Sequence, residues 1–236
     1  MKGREEGRGM RVGVLYSGGK DSNMAMYKAH LQGYEIACLV TIVPAGHESM
    51  LFHYPNAAHT AEQAECLGLP LVSRHVDAYD VERYVLEDLL IHAMERFAID
   101  GVVTGAIASR YQYEMFNDMA ERLGLRHIAP CYGEDQYMHM CELLEHNFSI
   151  MITSVSADGL DASMLGRIID WAMLSRLKDL SIRHGFNVSF EGGEAETFVL
   201  DMPMFRKRLS VDGYTVHWDG VRGYIEFIGL SPLDKN

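Results

Sequence analysis

The chain has 236 residues, 48% hydrophobic and 23% charged, which is enough for one α/β domain or for a main domain with a small appendage. With 21 basic against 33 acidic side chains the net charge is −12, and no basic run of five occurs, so a broad interface with nucleic-acid phosphates is disfavoured. No apolar run reaches the roughly 18 residues of a membrane helix, and the N-terminus lacks the apolar stretch of a signal peptide.

Residues 1–9 (MKGREEGRG) are charged and glycine-rich and read as a disordered extension, with Met10 an alternative start directly before the first strand. Val12–Tyr16 reads as a buried strand, and Asn23–Leu31 as a helix with Met24, Tyr27 and Leu31 on one face. Between them stands Ser17-Gly18-Gly19-Lys20-Asp21-Ser22. A glycine pair at a strand-to-helix turn lets backbone N–H groups approach an anion, and the helix start points its positive end at that anion. Lys20 adds a cation, Ser17 and Ser22 add hydroxyls, and Asp21 is placed to hold a magnesium ion bridging phosphate oxygens. Asp21 stands where a Walker A loop has Ser or Thr, and the run instead matches SGGxDS, the PP-loop of ATP pyrophosphatases. The chemistry implied is pyrophosphate binding.

Further strands are expected at Ile36–Val43, Leu71–His75, Gly101–Thr104 and Arg126–Ile128, separated by helices at about 20–32, 57–67, 80–98 and 108–123. Gly33, Gly68 and Gly124 mark helix exits. This βα alternation predicts a parallel sheet covered on both faces, with its ligand beyond the carboxyl ends of the strands. From Val43 to Asn56 no periodicity is evident, and the apolar members of this loop suggest that it packs over something. The spacing of His47, His53 and His59 suits no standard metal site, so His53 is better read as a substrate contact. Thr104-Gly105-Ala106-Ile107-Ala108-Ser109 again joins a strand end to a helix. Its small residues either admit a base or ribose or serve helix-on-sheet packing.

A helix at about 136–146, a strand at Ile150–Val155 and a long helix at about 162–184 come next. From Asn187 onward, Val/Phe/Thr-rich runs with turns at Asp212-Gly213 and Asp219-Gly220 read as antiparallel strands. The composition shift near 128–132 divides the chain into residues 10–128, the loop-bearing domain, and 129–236, a C-terminal substrate-binding domain. Within the latter, Glu191-Gly192-Gly193-Glu194-Ala195-Glu196-Thr197 packs three carboxylates into seven residues. If this is a strand, Glu194 and Glu196 share a face. An acidic, solvated hairpin accounts for the same pattern. Cys38, Cys66, Cys131 and Cys141 form no C-x-x-C pair, which fits a reduced cytoplasmic protein.

Several stretches together resemble the diphthine–ammonia ligase family of N-type ATP pyrophosphatases. They are VLYSGGKDS at 14–22, LVTIVP at 39–44, MLFHYPN at 50–56, DGVVTGAIAS at 100–109, SADGLDASMLGR at 156–167 and EGGEAETFVLDMPMF at 191–205. The resemblance implies a Rossmann-like (HUP-type) parallel sheet with helices on both faces, plus a smaller α+β C-terminal domain. It implies conversion of the carboxylate of diphthine, on elongation factor 2, to an amide, using ATP, Mg2+ and free ammonium and releasing AMP and pyrophosphate through an acyl-adenylate. Ser17, Gly18, Gly19, Lys20, Asp21, Ser22, Thr41, His53, Gly105 and Ala106 would bind the nucleotide, with Asp21 holding the metal. Lys20, Asp21, Glu191, Glu194 and Glu196 would form the catalytic set. Two positions depart from the family pattern: Phe190, where glycine is usual, and Ala195, where an aromatic is usual. They keep open a ligase for a small carboxylate, while a nucleotide sensor without catalysis stands as a third reading. Neither a membrane nor a nucleic-acid partner is expected, and a homo-oligomer is left open.

Overall fold

The computed structural model describes residues 9–44, 56–76 and 81–235. The expected extension at 1–9 and the loop bearing His47 and His53 therefore fall almost wholly outside the described residues. Five short strands form one parallel sheet: β1 (Arg11–Leu15), β2 (Glu35–Pro44), β3 (Leu71–Val76), β4 (Gly101–Val103) and β5 (Arg126–Ile128), in the order β3-β2-β1-β4-β5. Helices α1 (Lys20–Leu31), α2 (Thr60–Leu67), α3 (Glu82–Phe97) and α4 (Arg110–Leu123) connect them. The central strands are nearly continuous apolar runs because both faces are covered. Val12, Val14 and Leu39 belong to the apolar cluster on one side, and Leu15, Val40 and Ile42 to that on the other. On α1, Met24 is fully buried as its period predicts, whereas Leu31 is 61% exposed at the end of the helix.

The chain winds outward from β1 to β3, then returns to place β4 on the other side of β1. β1 and β4 pair in parallel through Val12 with Gly101 and Val14 with Val103. Their carboxyl ends therefore flank the point where strand order reverses, and the loop at 17–22 emerges there. Such a crevice is the usual ligand position in open α/β sheets.

After β5 come α5 (Gln136–Glu145), β6 (Ser149–Val155), α6 (Trp171–His184), β7 (Ala195–Asp201), β8 (Lys207–Trp218) and β9 (Gly223–Asp234). The strands form an antiparallel sheet in the order β7-β6-β9-β8. The helix expected at 162–184 is shorter. Residues Ala162–Met164 make a 3-10 turn, Gly166 takes a left-handed backbone, and α6 begins only where Asp170 accepts a hydrogen bond from the Met173 N–H. A second correction concerns Asp212-Gly213, which is no turn. Gly213 lies inside β8 opposite Gly229 at a register shift, and the β8–β9 hairpin closes at Asp219-Gly220.

The two sheets share one apolar cluster that runs from Val12 and Met24 through Met140 and Ile150 to Phe198 and Phe227. Burial of this continuous surface fixes β7 against the start of α1.

Candidate active site

The loop between β1 and α1 is held from both halves of the molecule. Gly18 has φ +82 and turns its carbonyl away from the sheet end. That oxygen accepts from Asn23 Nδ2 (3.2 Å), Gln63 Nε2 (3.0 Å) and the Val199 N–H of β7 (3.1 Å). A Cβ at Gly18 would lie 2.6 Å from Gln63 Oε1, so both backbone angle and packing demand glycine. Gln63 is fully buried and donates also to the Val199 carbonyl at 2.7 Å. Asn56 Nδ2 donates to the Thr197 carbonyl, and the Lys20 N–H donates to Thr197 Oγ1 at 3.3 Å. Ser17 and Ser22 hydroxyls lie 3.2 Å apart, with Gly19 N–H directed at Ser17 Oγ (3.4 Å). No side chain caps the start of α1 at Gly19. The start of α1 lines the cleft and turns the positive helix end toward it, with the Lys20 N–H itself engaged by Thr197 Oγ1.

A cleft of about 380 Å³ opens beyond this loop. It is lined by Ser17, Gly19, Lys20, Asp21 and Ser22 from the loop, Thr104, Gly105 and Ala106 after β4, Gln112 and Phe116 of α4, and residues 190–193 and 195–197. Of the sequence-predicted residues, it gathers all but four. Gly18 supports the loop from behind. Thr41 is fully buried in β2, its hydroxyl donating to the Tyr16 carbonyl at 2.6 Å, and does not reach the cleft. His53 lies outside the described residues. Glu194 points back into its own turn, accepting from the Asn187 N–H (2.9 Å) and the Gly192 N–H (2.8 Å). The alternation that pairs Glu194 with Glu196 fails because β7 starts only at Ala195. His59 also has a packing role, edge-on to Phe227 and beside Glu62.

Gly105 is glycine for a reason visible in the packing. A Cβ there would stand 2.8 Å from both the Asp21 carbonyl carbon and the Ser22 nitrogen, so the post-β4 turn presses directly on the first turn of α1. Phe190, by contrast, is a bulky residue in a left-handed conformation (φ +64), which costs about 1–2 kcal/mol where glycine would cost nothing. Its ring is buried, stacks on Phe186 and lies 5.8 Å from Lys20 Nζ. The departure at 190 thus falls on a position whose backbone suits glycine.

Charge in the cleft is unbalanced. Lys20, almost fully buried, pairs with Asp21 Oδ2 at 2.8 Å. Burial would raise the Asp21 carboxyl, but the Lys20 charge and the His139 hydrogen bond outweigh it and hold it below the usual range. Glu191, which accepts from the Ala108 N–H at 3.2 Å, is pushed up by burial and by the negative charge of Asp21. Glu196 is lifted to about 8, mainly by burial, with Asp21 and Glu191 adding to the rise and Lys20 opposing it. Three carboxyl groups thus share one lysine. Of the three, Asp21 alone is held ionised, and a carboxylate oxygen beside a loop built for an anion fits a hard cation such as Mg2+ brought in with phosphate.

Sequence periodicity gives no hint of what stands behind Asp21. His139 of α5 has no exposed side-chain surface. Its Nε2 lies 3.0 Å from Asp21 Oδ1 and its Nδ1 lies 3.2 Å from Glu134 Oε2. Both neighbours are carboxyl groups, so each ring nitrogen has an acid oxygen as its hydrogen-bond partner. Glu134 in turn accepts from Lys28 Nζ of α1, which also reaches Glu142 (2.6 Å). Cys131, Glu134 and His139 lie close enough to suggest a metal site. However, both ring nitrogens face carboxylates, Lys28 already neutralises Glu134, and burial pushes the Cys131 thiol up. The cluster reads as an ion-pair network.

Among the described residues no helix is long and apolar enough to cross a membrane. A family model described as the diphthamide synthase N-terminal domain matches residues 10–127, and one described as the diphthamide synthase C-terminal domain matches 135–229. Diphthine–ammonia ligase of Homo sapiens is 34% identical over 251 residues, covering 96% of this chain and 94% of that protein. The Danio rerio protein of that name is 32% identical over 250 residues, covering 96% and 98%. Among solved structures, one described as a predicted subunit of tRNA methyltransferase from Methanocaldococcus jannaschii superposes with a TM-score of 0.46 at 20% identity, covering 82% of this chain and 98% of that one.

Proposed function

The chain belongs to the diphthamide synthase family, and from that premise we infer that it is an ATP-dependent diphthine–ammonia ligase. A carboxylate is a poor electrophile, because ammonia would have to displace an oxide. Transfer of AMP from ATP onto the carboxylate releases pyrophosphate and leaves an acyl-adenylate. Ammonia then attacks the carbonyl carbon, AMP departs, and the amide retains two of the three ammonia hydrogens. The observation that carries this reading is the meeting of the anion-binding loop and two raised carboxyls in one cleft.

Residues 10–128 supply the nucleotide side and residues 129–236 the acceptor side. Ser17, Gly19, Lys20 and Ser22 bind the departing phosphates, with Gly18 fixing the loop, while Gly105 and Ala106 border the nucleoside. Lys20 turns from Asp21 to the phosphates and offsets the charge that develops there. Asp21 holds Mg2+, which when bound neutralises further charge on the leaving group. Glu191 and Glu196 hold ammonium. A carboxyl raised to about 8 is a far better match for taking a proton from ammonium than an ordinary carboxylate. Glu194 keeps the 191–194 turn in shape. The acceptor is diphthine on elongation factor 2, and four buried free thiols favour a reducing compartment, the cytoplasm.

The test incubates the protein with ATP, ammonium and diphthine-bearing elongation factor 2. We expect the modified peptide to change by the exchange of OH for NH2, with AMP and pyrophosphate formed in equal amounts. ADP and phosphate as products, or pyrophosphate release that never alters the peptide, would overturn the assignment. Asp21→Ala should abolish pyrophosphate release, and near-normal release would remove Asp21 from its role.

A further inference from the structure

We propose that His139 is a positioning residue that fixes the Asp21 carboxylate as a cation ligand, acting through its Nε2–H and braced by Glu134 and Lys28. The inference rests on the reading of Asp21 as the metal-binding residue.

Asp21 occupies the first turn of α1, where its side chain is free to rotate unless something holds each oxygen. Lys20 holds Oδ2, but Lys20 must leave when phosphate arrives. Among the described residues, His139 alone then restrains the carboxylate, through Oδ1 at 3.0 Å. The ring itself cannot turn: it has no exposed surface, and its second nitrogen lies against Glu134 Oε2. Glu134 is anchored in its turn by Lys28, two turns along α1 from Asp21, with Glu142 of α5 on the same ammonium. The network Asp21–His139–Glu134–Lys28 therefore starts and ends on α1 and crosses to α5 between. It ties the carboxylate to the helix that carries it. A hydrogen bond that orients a ligand in this way typically governs metal affinity by about ten- to hundredfold.

Two amide substitutions separate positioning from mere packing. The side-chain nitrogen of Gln superposes on His Nε2, and that of Asn on His Nδ1. H139Q therefore keeps the donor to Asp21, whereas H139N keeps only the one toward Glu134. Both leave a polar group in the buried site. The measurement is Mn2+ affinity by EPR titration with α,β-methylene-ATP present, alongside affinity for that analogue without metal. We expect H139N to weaken Mn2+ binding about ten- to hundredfold and H139Q to stay within about threefold of the parent, with metal-free nucleotide affinity unchanged in both. Equal behaviour of the two variants, or unaltered Mn2+ binding in H139N, overturns the proposal. Asp21→Asn distinguishes the two levels of the argument. If it leaves Mn2+ affinity intact, the metal reading of Asp21 has failed. If it removes binding while the two His139 variants match, only the positioning role has failed. Thermal unfolding of each variant establishes that it folds, and His139→Leu supplies a further loss-of-donor variant should H139N not fold.

Discussion

Glu196 offers the sharpest test of how far the cleft perturbs its own groups. Burial lifts its carboxyl from 4.5 to about 8, with Asp21 and Glu191 reinforcing the rise against Lys20. Between those two values the folded protein retains a proton that the unfolded chain has released, so stability must fall as pH rises. The contribution is complete below pH 4.5 and lost once pH passes about 8. A separation of about 3.5 pH units at about 1.4 kcal/mol each sets a ceiling of about 5 kcal/mol. Part of the side chain faces the cleft, where water recovers some of this, so about 2–3 kcal/mol is the expected size. Glu196→Gln preserves the shape of the neutral acid and cannot ionise. Thermal unfolding of both proteins at pH 5 and pH 9, at constant ionic strength, gives the answer. The variant should gain on the parent by roughly 4–12 °C in Tm across that interval. Parallel Tm profiles would show that Glu196 ionises as a normal carboxylate and would refute the burial argument.

Three other perturbations follow from the packing. Gly105→Ala forces a Cβ against the Asp21–Ser22 backbone, which cannot yield as a side chain would; a destabilisation of about 1–3 kcal/mol and weaker ATP-analogue binding are expected by urea denaturation and calorimetry. Phe190→Gly relieves about 1–2 kcal/mol of backbone strain but removes a buried ring worth about 3–5 kcal/mol, so urea denaturation should show a net loss of about 1–4 kcal/mol. A variant more stable than the parent would mean that strain outweighs packing there. Cys38 and Cys66 are pushed up to about 12 and about 11 by burial, and all four cysteines are buried. Ellman's reagent should leave the native protein untouched at pH 8 and count four thiols in urea; rapid native labelling would contradict their burial.

The parallel sheet and the loop were legible because both rest on local rules. Doubly covered strands read as apolar runs, and a glycine pair between strand and helix has few uses other than close backbone approach. The segment 162–170 was harder. Its apolar residues mimic a helical period, yet Gly166 and the capping of α6 by Asp170 break it into a 3-10 turn and an extended stretch. Thr41 and Glu194 fail for a related reason. Strand position alone does not say whether a hydroxyl faces the ligand or a neighbouring carbonyl, nor where a strand begins. The departure at Phe190 lies in plain sight, but its meaning needs a φ value. His139 is the hardest case. It sits 118 residues from Asp21, on the buried face of a short helix, and no spacing rule joins them.

The Gly18 carbonyl bonds to β7 at Val199, and the Lys20 N–H bonds to Thr197 on the same strand, one residue from Glu196. On the proposed assignment, nucleotide and acceptor would be handled by opposite ends of one short hydrogen-bonded ladder. If filling the loop changes the affinity for the acceptor, occupancy of the acceptor side must change nucleotide affinity by an equal factor. ATP retention then reports on whether the protein substrate is docked. A ligase wired this way can hold its nucleotide loosely while idle and commit it only when there is a carboxylate to activate.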